Sequence, residues 1–125
     1  MKLLLDSHVL LWWLRDDRRL SRPVRRALLN PRNQVAVSAA SLYELSFKRN
    51  LGKLTFDVDE VETFLRQDRI GEVSVSTRVA LQAGELGLAN RDPWDRIIAA
   101  HSLVEGWIVV TGDEKIAAFG AKTLW

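Results

Sequence analysis

The chain has no cysteine. That excludes disulfides and thiolate metal sites, so any metal must be held by oxygen or imidazole. Long apolar runs are missing too, and no stretch reaches the roughly 18 residues that suggest a membrane span. The N-terminal MKLLLDSHVLLWWL carries Asp6 inside its apolar part and offers no small-residue cleavage site, so it reads as part of the fold and not as a targeting segment. A soluble, cytoplasmic protein with no membrane contact is expected. No repeat, low-complexity tract or linker interrupts the 125 residues, and 47% of them are hydrophobic, which is enough for one core and predicts a single domain over residues 1–125. Strong net charge is also absent: at +2 the balance announces no nucleic acid. Yet Arg15, Arg18, Arg19, Arg22, Arg25 and Arg26 crowd one short segment. A solvated helix face and a basic patch are both open there.

What the chain does have is clearest over residues 91–113, RDPWDRIIAAHSLVEGWIVVTGD. Asp92 before Pro93 fits an N-cap followed by proline at the first helical position, where its missing N–H costs nothing. Trp94, Ile97, Ile98, His101 and Val104 recur at helical spacing on one apolar face, and Gly106 supplies the stop. Glu105 falls in the last turn, within reach of water. Arg96 is expected to point the other way, with Asp95 and Ser102 on one flank. Trp107 to Val110 is a β-branched apolar run without polar alternation, suited to a strand covered on both faces. Thr111, Gly112 and Asp113 end it.

The rest of the chain repeats the strand-to-helix theme. Lys2 to Leu5 reads as a strand stopped by Asp6, and Val9 to Leu14 as a helix packed almost all round. Ser21 and Pro23 open another helix, broken by Asn30 and Pro31. Val35 to Val37 is the next strand candidate, followed by a helix from about Ser41 to Asn50, closed by Gly52. Asp57 caps a helix carrying Val58, Val61, Phe64 and Leu65. Val73 and Val75 suggest a short strand, Thr77 to Leu86 a helix, Ala117 and Phe119 a last short helix, and Lys122 to Trp125 a last strand. Alternation throughout predicts an α/β fold, a three-layer sandwich around a mostly parallel sheet.

In such a sheet every strand ends on the same edge, where ligands bind. Asp6 follows one strand, Asp113 follows another, Asp95 lies in the first turn of a helix, and Glu44 lies one turn into the helix after Val35 to Val37. Four carboxylates distant in sequence can therefore converge. A plainer account competes. Ser41 to Glu44 fits a capping box, Glu44 and Lys48 an i,i+4 pair, Asp95 a helix-dipole partner, and Asp6 and Asp113 N-caps. Taken together, gathered carboxylates repel and raise one another's pKa unless a cation neutralises them. Mg²⁺ or Mn²⁺ is the natural candidate, since hard ions take oxygen ligands and substrate phosphate. The chemistry that fits is phosphodiester hydrolysis by metal-activated water. Asp6, Glu44 and Asp95 form the principal ligand set, Asp113 is a ligand or an outer partner, and Thr111 or Ser38 orients water or carboxylate. Asp92 is read as a cap.

With those residues in place, LLLDSHVLLWWL, SAASLYELSFK, RDPWDRIIAAHSL and VVTGDEKIAAFG resemble the successive motifs of PIN-domain ribonucleases, in particular the small VapC-type toxins of bacterial type II toxin–antitoxin pairs. The resemblance runs nearly end to end. It implies a PIN-like fold, a Mg²⁺- or Mn²⁺-dependent endoribonuclease, and catalytic acids at Asp6, Glu44, Asp95 and Asp113. It further implies inhibition by a VapB-like antitoxin, a homodimer, and operator DNA binding only through the antitoxin complex. Two positions depart from the pattern. Ser7 replaces the usual threonine but keeps the hydroxyl, and Asn90 stands where histidine often precedes the RDP block, which removes an ionisable group there.

Other residues have plainer alternatives. His101 on the apolar face reads as a packed or hydrogen-bonded core histidine, and His8 as a helix-start residue or the rim of the site. Trp12 and Trp13 either both pack into the core or leave one for a dimer or antitoxin surface. An acidic pocket repels RNA, so a basic rim is expected, with Arg15, Lys48, Arg49, Arg91, Arg96 and Lys115 as candidates. The rival reading is a non-catalytic α/β module, either receiver-like and phosphate-binding or a pure interaction protein that binds nucleic acid through its arginines.

Overall fold

The computed structural model describes residues 1–125 and places five strands in one sheet of order β3-β2-β1-β4-β5. The strands are β1 (Lys2–Leu5), β2 (Gln34–Ser38), β3 (Gly71–Val73), β4 (Ile108–Val110) and β5 (Thr123–Leu124). All pairings are parallel: β1 with β2 and β4, β2 with β3, and β4 with β5. Seven helices connect and cover them: α1 (Ser7–Leu14), α2 (Arg22–Leu29), α3 (Ala39–Asn50), α4 (Val58–Gln67), α5 (Thr77–Glu85), α6 (Pro93–Glu105) and α7 (Glu114–Ala117).

Strand periodicity explains the layers. Successive side chains point to opposite faces, so Leu3 and Leu5 join Val37 and Val110 in one core, while Leu4 joins Ala36 and Val109 in the other. The first core takes its helical contribution from α1, α2, α4 and Leu45 of α3; the second takes Ile98 and Ala99 of α6 and Ile116 of α7. Helix α5 lies outside α6, sharing Val79, Ala83 and Ala100. Leu3, Leu4 and Leu5 are wholly buried, each contributing about 2 kcal/mol of apolar burial. That explains an apolar run without alternation in the central strand.

Helix boundaries follow local chemistry. Asp92 accepts the backbone N–H groups of Trp94 and Asp95, Pro93 opens α6, and Gly106 ends it at φ 79°. Ser21 and Asp57 cap α2 and α4 as their sequences imply. Helix α3 departs from expectation. Strand β2 runs through Ser38, whose own Oγ accepts the Ala40 N–H at 3.2 Å, so the helix begins at Ala39. Ser41 is then interior and buried with an unpartnered hydroxyl, and the Ser41–Glu44 capping box does not form. Val75 and Trp107 fall outside strands, Phe119 lies beyond α7, and the last strand shortens to two residues. Trp12 and Trp13, adjacent on α1, are both partly buried against the first core. No helix is long and apolar enough to cross a membrane.

The order of the strands locates the ligand edge. The chain leaves β1 toward β2 and β3, then crosses to β4 and β5 on the other side. Its switch point lies between β1 and β4, and ligands of open parallel sheets sit outside the strand C-termini at such a point.

Candidate metal centre

Asp6 stands directly after β1 and Thr111 directly after β4, the two strands flanking the switch point. The Asp6 N–H donates to Val110 O at 3.1 Å, which ties the two strand ends together. Asp6 occupies the N-cap position of α1, yet its side chain caps nothing. It accepts instead from Thr111 Oγ1 at 2.8 Å. Thr111 Oγ1 in turn accepts the Asp113 N–H at 3.0 Å, and Asp113 caps α7 through the Lys115 N–H. One threonine thus couples the acids that follow β1 and β4.

Glu44 reaches the same place from α3. Ser7 Oγ donates to Glu44 Oε1 at 2.7 Å, with Asp6 Oδ1 3.3 Å from the same hydroxyl oxygen. Lys48, one turn on, pairs with Glu44 Oε2 at 2.6 Å. Helix α6 feeds β4 and so begins over the strand C-termini, which brings Asp95 in its first turn to this edge. Asn90 Nδ2 donates to Asp95 Oδ2 at 3.0 Å, and Asn90 Oδ1 accepts the Asp92 N–H.

The electrostatics record how crowded this edge is. Burial pushes the Asp6 carboxyl up, opposed by the Thr111 hydrogen bond and reinforced by the charge of Glu44. Burial also pushes Asp95 up, to about 6, against the Asn90 hydrogen bond and with the charges of Asp92, Asp113 and Asp6 adding to the rise. These couplings join Asp6, Glu44, Asp95 and Asp113 into one negative neighbourhood. No three acidic or imidazole groups close into a cage around a single point. The donors are oxygens, several carboxylates lack a counter-ion, and the edge is open. That set suits a hard divalent ion held by a few carboxylates with water completing its shell, and does not suit an all-protein calcium or zinc cage.

A second polar constellation is unsuited to chemistry. Ser38 Oγ lies 2.8 Å from His101 Nε2, and His101 Nδ1 lies 2.6 Å from Glu105 Oε1. The order hydroxyl, imidazole, carboxylate resembles a nucleophile with its base. Ser38 and His101 are completely buried, so no substrate carbonyl reaches them. The chain satisfies a core histidine and fixes the end of β2. Ser38 touches none of the four acids, and Thr111 alone of the two hydroxyl candidates meets a carboxylate of the set.

The PIN domain family model matches residues 3–122. The chain belongs to the PIN-domain family. Ribonuclease VapC22 of Mycobacterium tuberculosis (strain ATCC 25618 / H37Rv) is 32% identical over 116 residues, spanning 90% of this chain and 88% of that protein, which places the chain among VapC-type PIN domains. Several solved structures share the fold. VapBC2 from Rickettsia felis, bound to a DNA fragment from its promoter, has a TM-score of 0.74 at 22% identity and covers 100% of this chain and 99% of the compared chain. FitAcB from Neisseria gonorrhoeae has a TM-score of 0.64 at 18% identity, over 98% and 96%.

Around the acids of this PIN domain the basic candidates divide. Arg96 is buried, and its guanidinium donates to the carbonyls of Gly84, Leu86, Gly87 and Asn90. It therefore pins the loop before α6 and is no part of a rim; the expected outward side of α6 is covered, and Ser102 is likewise buried, accepting the Lys122 N–H. Arg15 donates to Thr55 O and Arg49 to Phe56 O, strapping one segment. Lys48 is held by Glu44. Arg91 and Lys115 are exposed, and their side chains enter no ion pair or hydrogen bond. Exposed His8 stacks on Trp12 and lines a cleft with Asp6 and Asp113. Glu105, in the last turn of α6, is engaged by His101 and still 30% exposed.

Sequence reasoning missed two features. The first is Asn90 as the partner of Asp95. Its sequence signal was the polar residue five positions ahead of Asp95, within the same capped loop. The second is an aromatic group of Tyr43, Phe47 and Trp94, with ring centroids 5.9 to 6.3 Å apart beside Glu44 and Asp95. Its i,i+4 half was legible on α3; the approach of α6 was not.

Proposed function

We propose that this protein is a Mg²⁺- or Mn²⁺-dependent endoribonuclease, the toxin of a VapBC-type pair. Asp6, Glu44 and Asp95 would hold the ion, and Asp113 would hold it directly or through water. One observation carries the reading: Asp6 and Glu44 share the Ser7 hydroxyl at the switch point, beside an Asp95 whose carboxyl is pushed to about 6 by burial first and by the neighbouring negative charges second. Such an arrangement gains stability from a divalent cation.

When bound, the ion activates water and offsets charge building on the phosphate and its leaving oxygen. The chain's own residues set the frame. Thr111 holds one Asp6 oxygen and leaves the other toward Ser7 and Glu44. Asn90 orients Asp95 without competing for a proton. Lys48 lies against Glu44 and supplies positive charge where RNA phosphate would approach. Partners follow from the same reading: a VapB-like antitoxin, operator DNA only through that complex, a second copy of the chain, and a cytoplasmic location.

The test is cleavage of single-stranded RNA with and without Mn²⁺, in wild type, Asp6→Asn and Glu44→Gln. Metal-dependent cleavage lost in both variants supports the enzyme. Cleavage unchanged in both removes the assignment. The open spacing of the acids favours a second reading, a phosphate- or nucleic-acid-binding module without hydrolysis, which predicts RNA binding with no cleavage under any divalent ion.

A further inference from the structure

Beside the acid edge lies a cleft of about 450 Å³, within the roughly 300–1,000 Å³ typical of ligand sites. Leu86, Ala118 and Phe119 give it an apolar lining, Arg91 and Lys115 line it with positive charge, and Asn90 belongs both to it and to the acid edge. Asn90 is the residue that holds Asp95, and Lys115 lies two positions after Asp113, so cleft and acids are contiguous. The cleft is also built in advance. The Arg96 guanidinium fixes the loop carrying Leu86 and Asn90 by four carbonyl contacts, and its carbon sits 5.7 Å from the centre of the Phe119 ring on the facing wall. A preformed cleft with an apolar lining and two uncommitted cations matches a group that is flat and apolar on its faces and carries an anion at its edge.

We infer that this cleft is a subsite for one unpaired nucleobase of the RNA, next to the phosphate at the acids, with Arg91 and Lys115 on the flanking phosphate. The inference rests on the endoribonuclease reading and deepens it: the cleft chooses which nucleotide borders the cut, and the acids cut. Bases stack against apolar and aromatic walls, and cations track the backbone, whenever single strands are bound without a duplex to read.

The experiment uses the full chain with Mn²⁺, a random-sequence single-stranded RNA pool for cleavage, and a fluorescent RNA oligonucleotide for binding. The variants are Ala118→Trp, which fills the cleft from an exposed position, and Arg91→Ala, which removes a cation without filling it. The expected result is a base preference beside the cut that Ala118→Trp flattens, with KM and the RNA dissociation constant raised roughly tenfold. Arg91→Ala weakens binding for all sequences alike and lessens its salt dependence. If wild type cleaves RNA while Ala118→Trp shifts neither preference nor affinity, the subsite is overturned and the nuclease stands; a cleft that receives a partner protein's side chain gives that outcome. If wild type binds RNA in a way Ala118→Trp abolishes but cuts nothing, hydrolysis is overturned and the subsite stands. Neither binding nor cleavage by wild type overturns both.

Discussion

Asp17 and Asp95 are the same side chain in opposite settings. Asp17, in the turn after α1, takes a side-chain hydrogen bond from Arg19 and another from its backbone N–H, which hold its carboxyl down at about 2. Arg25 closes the same corner on Asp16. Asp95 stands half-buried among Asp92, Asp113 and Asp6 and is held up at about 6. The first carboxylate has its counter-charge in the chain. The second has only the N-terminus of α6 and the Asn90 amide to offset its charge. A folded protein tolerates such an imbalance where a ligand completes it, and this difference separates an acidic surface corner from a candidate cation site.

The comparison breaks most visibly at the chemistry. Asp6→Asn or Glu44→Gln should lower Mn²⁺-dependent RNA cleavage more than about a hundredfold, beyond the 10–100-fold typical of groups that only support a metal ligand. Circular dichroism checks that the fold persists. Asp17→Asn should leave cleavage untouched in the same assay. Next in size is Thr111→Val, which keeps the shape and deletes the donor to Asp6. Metal affinity or activity should fall by roughly 10–100-fold, read by titration calorimetry, with some loss of stability because Thr111 also receives the Asp113 N–H.

Stability against pH sharpens the contrast further, and its two halves have opposite signs. Folded Asp95 titrates near 6 against an ordinary 3.8, so between those values the folded chain binds the proton more readily than the unfolded one. Without divalent ions, its contribution makes the protein less stable as pH rises through that window. Asp95→Asn should flatten that slope and raise the neutral-pH melting temperature. Folded Asp17 titrates near 2 against 3.8; its contribution is present above 3.8 and is lost as pH falls toward 2. Asp17→Asn should give the smallest effect, a barely measurable change in melting temperature that salt diminishes, since the pair is exposed.

How far the sequence anticipated this depends on the range of the determining interaction. Asp92, Pro93 and Gly106 bound α6 by contacts within a few residues, so its ends were readable. The apolar run of β4 announced a strand covered on both faces, and that of β1 a strand stopped by Asp6. Ser38 and Ser41 competed for one cap, and the choice fell to β2 and to His101 from a distant helix, which no local pattern contains. Arg96 had the mark of a surface charge; its burial depends on four carbonyls converging from a loop whose path only tertiary packing fixes. The acids could be assigned to one edge because strand direction and helix polarity determine edges. Their separations could not, because side-chain approach is set by Ser7, Thr111 and Asn90 acting across elements. The six-arginine segment left a basic patch open; Asp17 and Asp16 pair with Arg19 and Arg25, while Arg15, Arg18, Arg22 and Arg26 meet no carboxylate.

Calorimetric titration of Mn²⁺ into wild type, Asp6→Asn and Asp95→Asn at neutral pH asks most directly whether the unbalanced carboxylates form one cation site. Saturable binding that disappears in Asp6→Asn and weakens in Asp95→Asn, with all three chains folded, is the predicted result. Equal affinity in the three proteins would contradict it.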